Sequence, residues 1–121
     1  IHARARPDHP ALVENGRTIT YADLAPQVRR LAAVITARVP DPNAVVGLCL
    51  ADTARHVIAL YSLARAGRVI LPMDLRWTAA ERANVAGHFG ASLVLTEPGE
   101  PAIEGVEALA WNEELDRTIA A

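Results

Sequence analysis

The chain has no lysine: all 12 basic residues are arginines, scattered along it rather than grouped. That spread argues against a nucleic-acid surface, which shows clustered basic charge. The missing lysine also excludes a Walker phosphate loop, and no G-x-G-x-x-G occurs. A lone cysteine, Cys49, excludes an intramolecular disulfide. Set inside an apolar run, it reads as a small buried hydrophobe in a reducing, cytoplasmic compartment. Aromatics are scarce, with one Phe, two Trp and two Tyr. The core must then be built from Ala, Val, Leu and Ile, which suits helices packed on a parallel sheet. No apolar run is long enough for a membrane span, and no signal peptide is visible. The chain begins at Ile1 rather than Met, which suits a fragment or a processed product.

What is present is 121 residues, 51% of them hydrophobic, with a net charge of −2. That suffices for one domain, or part of a larger one. The polar opening to Pro10 suggests at most a short helix before Pro7. Asn15-Gly16 lies between two short alternating runs, the strongest local hairpin signal because both turn positions need φ > 0. Thr20 with Asp23 then forms an Asp version of a capping box, with Ile19 and Leu24 placed as a hydrophobic staple. Leu24, Val28, Leu31 and Ile35 continue at helical spacing. Pro26 lies beyond the first turn and should bend this helix.

Val45 to Leu50 reads as a strand covered on both faces. Asp52 or Thr53 caps a helix over 54–66 that is apolar on most of its surface. Arg55, Ser62 and Arg65 mark a narrow wet side, and Gly67 closes the helix. Arg68 to Met73 is the next strand. Thr78 and Glu81 form a full capping box for a helix ending near Phe89-Gly90. Leu93 to Leu95 is a third buried strand, Glu97 to Gly105 a loop, Ala108 to Trp111 a short fourth strand, and Asn112 caps a last helical segment.

Alternating helices and strands fix a parallel sheet with right-handed crossovers. The expected fold is therefore α/β: three layers, a mostly parallel sheet with helices on both faces, and an N-terminal β-hairpin at 11–20. The βα units occupy 21–96, and a loop with a short terminal element occupies 97–121.

Candidate chemistry is thin. His2, His9, His56 and His88 have no metal-ligand spacing, and no partner nucleophile accompanies them. Gly87 and Gly90 end a helix rather than open one, so they do not cradle phosphate. Asp52 and Asp74 lie just beyond the carboxyl ends of parallel strands, where ligands collect in open α/β sheets. Capping and turn formation explain both without a ligand. Trp77 reads as an anchor against another part of a larger protein.

The string Ile19-Thr20-Tyr21-Ala22-Asp23-Leu24 resembles an early motif of the adenylate-forming (AMP-binding) superfamily. Leu63 to Asp74 resembles that family's Ala-Gly-x-x-x-x-Pro-hydrophobic-Asp/Asn segment, with a Thr-x-x-Glu helix start following. Arg6-Pro7-Asp8-His9-Pro10-Ala11-Leu12 is similar to the phrase preceding the family's first strand. The resemblance spans roughly residues 6–96. It implies a Rossmann-like subdomain at the beginning of the large N-terminal domain of an acyl-CoA synthetase or related ligase. The implied parent takes a carboxylate and MgATP to an acyl-adenylate and pyrophosphate, and then transfers the acyl group to a thiol, often CoA. The phosphate loop, the adenine contacts and the catalytic lysine come later in such chains. The resemblance therefore places no catalytic, cofactor-binding or metal-binding residue here, and implies an inactive isolated chain whose partner is the rest of its parent. Self-association is a further expectation, because the broad apolar face of helix 54–66 would need cover. The competing reading is a free-standing α/β binding module without catalysis.

Overall fold

In the computed structural model the described residues are 10–14 and 17–120. The opening segment before Pro10 and the Asn15-Gly16 turn lie outside them. Strands β1 (Pro10–Glu14) and β2 (Arg17–Thr20) pair antiparallel with Glu14 opposite Arg17, the pairing expected of a hairpin. Helix α1 (Tyr21–Arg38) follows directly. Its capping box is complete: Asp23 N–H donates to Thr20 Oγ1 at 3.2 Å, and Thr20 N–H donates to Asp23 Oδ2 at 3.0 Å. The helix runs unbroken through Pro26. Ile19 and Leu24 both join the main core, as a staple requires.

The rest alternates strand and helix: β3 (Val45–Cys49), α2 (Thr53–Ala66), β4 (Val69–Pro72), α3 (Ala79–Phe89), β5 (Ala91–Thr96), β6 (Glu107–Ala110) and α4 (Glu113–Ala120). The last four strands form one sheet in the order β4-β3-β5-β6, and every pairing is parallel. Alternation along the strands divides the core in two. Val46, Leu48, Leu93, Leu95 and Leu109 share a cluster with buried residues of α1, α2 and α4. Cys49, Val94 and the partly buried Val45 and Leu71 belong to a second cluster with Ala86 of α3. Helices thus cover both faces, as expected. Gly47 in mid-strand is required by close approach: a Cβ there would sit 2.7 Å from Met73 Sδ and 3.0 Å from Val94 Cγ2.

Two helix ends use glycine in the left-handed conformation, Gly67 after α2 (φ 73°) and Gly90 after α3 (φ 67°). Just after Gly67, Arg68 is buried and has no carboxylate partner among the described residues. Its Nε and Nη2 donate to Val39 O at 3.1 and 2.7 Å, and its Nη1 donates to Ala66 O at 2.6 Å. One guanidinium therefore satisfies the carbonyl ends of α1 and α2, where a cation is favourable.

Two expectations about α2 need correcting. Ser62 does not mark the wet side: it is fully buried against α1. Its Oγ donates back to Ile58 O at 2.6 Å and lies 3.2 Å from Val28 O, so the hydroxyl enters the helix–helix contact already satisfied. The exposed side runs through Leu60, Ala64 and the expected Arg65. The broad apolar face is also covered within the chain, by α1 on one side and the sheet on the other. It therefore gives no reason for self-association.

Candidate functional site

The chain passes from β3 out to β4, then back across β3 to β5. This reversal makes the carboxyl ends of β3 and β5 the switch point where open α/β sheets take ligands. Asp52 follows β3, Asp74 follows β4, Glu97 follows β5 and Trp111 follows β6.

Each of these groups already has a partner. Asp52 is the N-cap of α2, its Oδ1 accepting Arg55 N–H at 3.0 Å. The neighbouring Ala51 N–H donates to Glu97 Oε1 at 2.8 Å, so a carboxylate of this chain occupies the α2 approach. Asp74 Oδ1 accepts Arg76 N–H at 2.8 Å and Arg76 Nε at 3.1 Å, while Oδ2 accepts Arg76 Nη2 at 2.7 Å. The Arg76 side chain, with the backbone N–H, lowers the Asp74 pKa to about 2. The same pairing raises the Arg76 guanidinium.

Trp111 is buried, and its Nε1–H donates to Asp116 Oδ1 at 3.0 Å. The Arg55 guanidinium lies 5.5 Å from the Trp111 ring centroid, with a looser approach of 3.8 Å to Asp116. His56 lies next to Arg55 in the first turn of α2, and His88 packs edge-on against Phe89 at 4.8 Å between centroids. His2 and His9 lie outside the described residues. Trp77 is half-buried in this chain's own second cluster, beside Met73 and Ala86. That corrects its reading as an anchor for another part of the protein: the turn after β4 folds it back under α3.

On the α3 face, a cavity of about 30 Å³ lies beneath the 97–106 loop, lined among others by Cys49, Arg82, Thr96 and Glu100. Arg82 is buried and pairs with Glu100 at 2.7 Å. Burial pushes the Cys49 thiol up despite the opposing charge of Arg82. Sequence reasoning singled out neither Arg82 nor Glu97. Glu97 had a usable signal, since it is the first residue after β5 at the switch point; Arg82, lying within a helix, had none.

Chemically, the strand ends carry caps and ion pairs. No group of three or more His, Cys, Asp or Glu among the described residues is arranged to hold a metal. Arg76 engages both oxygens of Asp74, and Glu97 takes the N–H before α2 through one of its oxygens. No helix among the described residues is long and apolar enough to cross a membrane.

By class this is a parallel α/β layer with helices on both faces. The chain belongs to the AMP-binding enzyme family, whose model matches residues 1–120. It is 35% identical over 95 residues to phosphinothricin tripeptide synthetase PhsC of Streptomyces viridochromogenes, covering 78% of this chain and 9% of that protein. Among solved structures it superposes on NpsA-ThdA of Klebsiella oxytoca, an artificially fused adenylation–PCP di-domain, with TM-score 0.84 at 22% identity, over 98% of this chain and 22% of that one. It also superposes on the nonribosomal peptide synthetase FmoA3 bound to α-methyl-L-serine-AMP, with TM-score 0.78 at 29% identity, over 90% of this chain and 13% of that one. The chain thus spans a small part of the length of each protein it matches.

Proposed function

We propose that this chain is the N-terminal scaffold portion of an ATP-dependent, carboxylate-activating ligase. The family match over residues 1–120 carries this reading. The parent joins a carboxylate oxygen to the α-phosphorus of ATP and releases pyrophosphate. A thiol then takes the acyl group and releases AMP. ATP and Mg²⁺ are held by residues of the parent outside this chain, a reading supported by the engagement of the strand-end carboxylates here as caps and in an ion pair.

The names of the relatives favour an amino or aryl acid as the carboxylate, and a carrier-protein thiol as the acceptor. CoA remains the acceptor in the acyl-CoA synthetase branch of the same reading. The lone buried Cys49 supports a reducing, cytoplasmic setting. The rest of the parent is the chain's natural partner. Exposed apolar residues on the thinner side, including Val69 at 51% and Phe89 at 56%, are surface for it.

The test is carboxylate-dependent exchange of pyrophosphate into ATP. The full-length parent exchanges with an amino or aryl acid and then loads a carrier domain, whereas the 121-residue chain alone gives no exchange. Exchange by the isolated chain, or none by the parent with any carboxylate, would sink the proposal.

A free-standing module is favoured by one observation: the face carrying α1, α2 and α4 closes without outside help. A monomeric, cooperatively folding chain encoded without downstream adenylation sequence would support that reading instead.

A further inference from the structure

The two edges of the four-stranded sheet are not alike. β4 and β6 are its outer strands, each paired on one side only. β4 reads Val-Ile-Leu-Pro, with no charge along it, and Val69 is half exposed. Charged side chains commonly guard an edge strand against pairing with further chain, and β4 has none. β6 carries Glu107, held by Arg38 at 2.7 Å. At its other end the Ala110 carbonyl already accepts Asn112 N–H at 2.9 Å.

Backbone alternation sets what β4 offers. Val69 N–H donates to Ala44 O and Met73 N–H to Leu48 O, so residues 69, 71 and 73 turn their polar groups towards β3. Ile70 N–H and the carbonyls of Ile70 and Pro72 then face away from the sheet. Pro72 is admitted because its missing donor points outward, and it fixes where further pairing stops.

Handedness sets which edge is reached next. From β3 to β4 the crossover helix α2 lies on the main-core face, through Ile58 and Leu63. The chain then moves the opposite way twice, from β4 to β5 and from β5 to β6. Both of those crossovers lie on the other face, through Ala86 of α3 and Ile103 and Val106 of the loop. One hand therefore holds throughout, as right-handed crossovers require. After β6, α4 returns to the main-core face through Leu115 and Ile119. A crossover on that face moves in the direction from β3 to β4, and from β6 it leads to the outer side of β4.

We propose that the open edge of β4 receives a parallel strand of the parent, the one that follows α4. This rests on the reading of the chain as part of a longer protein. The incoming strand accepts from Ile70 N–H, donates to the Ile70 and Pro72 carbonyls and covers Val69. It makes β4 an inner strand and leaves β6, with its charged Glu107, at the rim.

Amide exchange by NMR in the full-length parent tests this, with Leu71 N–H, which faces β3, as the internal reference. The expected result is that Ile70 N–H exchanges within about tenfold of Leu71 N–H. Faster exchange at Ile70, as on an outer strand, would overturn the inference. A nuclear Overhauser contact from the Ile70 amide identifies the occupant, and a residue beyond position 120 is expected. A contact to the segment before Pro10, or to a second copy in a mixed labelled and unlabelled sample, would overturn it too. Pyrophosphate exchange is measured on the same protein. A parent that protects Ile70 but exchanges no pyrophosphate refutes the ligase reading and leaves the strand assignment standing.

Discussion

Replacing Gly47 with alanine tests how tightly the α3 face of the sheet is packed. The added Cβ lands 2.7 Å from Met73 Sδ and 3.0 Å from Val94 Cγ2, both inside normal carbon–sulfur and carbon–carbon contact. Met73 is buried and Val94 lies in a central strand, so neither moves freely. Overpacking of this kind costs about 1–3 kcal/mol. Removing a strand glycine returns about 0.5–1 kcal/mol through the unfolded chain. The net expectation for Gly47→Ala is a loss of about 1–2 kcal/mol. Urea unfolding followed by the fluorescence of Trp77 and Trp111 reads this as a lower midpoint at unchanged slope. The reasoning also fixes a second quantity. In a Met73→Ala background the nearest clash is gone, so Gly47→Ala should cost less than half as much, a coupling of order 1 kcal/mol in a double-mutant cycle. A neutral Gly47→Ala, or a cycle with no coupling, would refute the claim that close approach dictates glycine here.

Three further outcomes follow from the same contacts. Arg68→Ala orphans the carbonyl ends of α1 and α2 and should cost about 2–3 kcal/mol, with Arg68→Lys only partly rescuing, since an ammonium lacks the fork; equal stability of all three proteins in urea would contradict that role. The Asp74 carboxyl should titrate near 2 by NMR and move back towards its ordinary 3.8 in Arg76→Ala. A depressed folded value means that its stabilising contribution is present above the ordinary pKa and is lost as pH falls through about 2; a titration near 4 in the unaltered chain would disprove the pairing. Cys49 should resist a bulky thiol reagent at pH 8 in the folded protein and react fully in denaturant, because burial both hides the thiol and raises its pKa; fast labelling of the native chain would count against a closed α3 face.

How far the sequence could be read depended on the reach of each signal. The capping boxes at Thr20–Asp23 and Thr78–Glu81, the αL stops at Gly67 and Gly90, and the Asp52 cap are local devices, complete within a few residues. They set the element order, and the element order set the parallel sheet. Ser62 was misread because its burial depends on α1, 34 residues away in sequence at Val28. Arg68 read as a strand start, since nothing in its neighbourhood announces that Val39, 29 residues earlier, ends a helix beside it. Trp77 was assigned outward because a turn residue carries no mark of the side to which the turn folds.

The site candidates divide along the same line, and their electrostatics decide what they are. A carboxylate serving as a general base works best with a pKa near the operating pH. Asp74, held near 2 by a side chain two residues away, is a poor proton acceptor at neutral pH. To bind a metal it would have to release Arg76, whose guanidinium and backbone N–H together engage both of its oxygens. Asp52 and Glu97 each commit one oxygen within the chain, to the Arg55 and Ala51 N–H groups. A strand-end position is thus a necessary feature of a ligand site in this fold, and not a sufficient one. What separates a site from a scaffold is how much hydrogen-bonding capacity the polar groups there leave unspent, and at these strand ends Asp52, Asp74 and Glu97 each commit at least one oxygen within the chain.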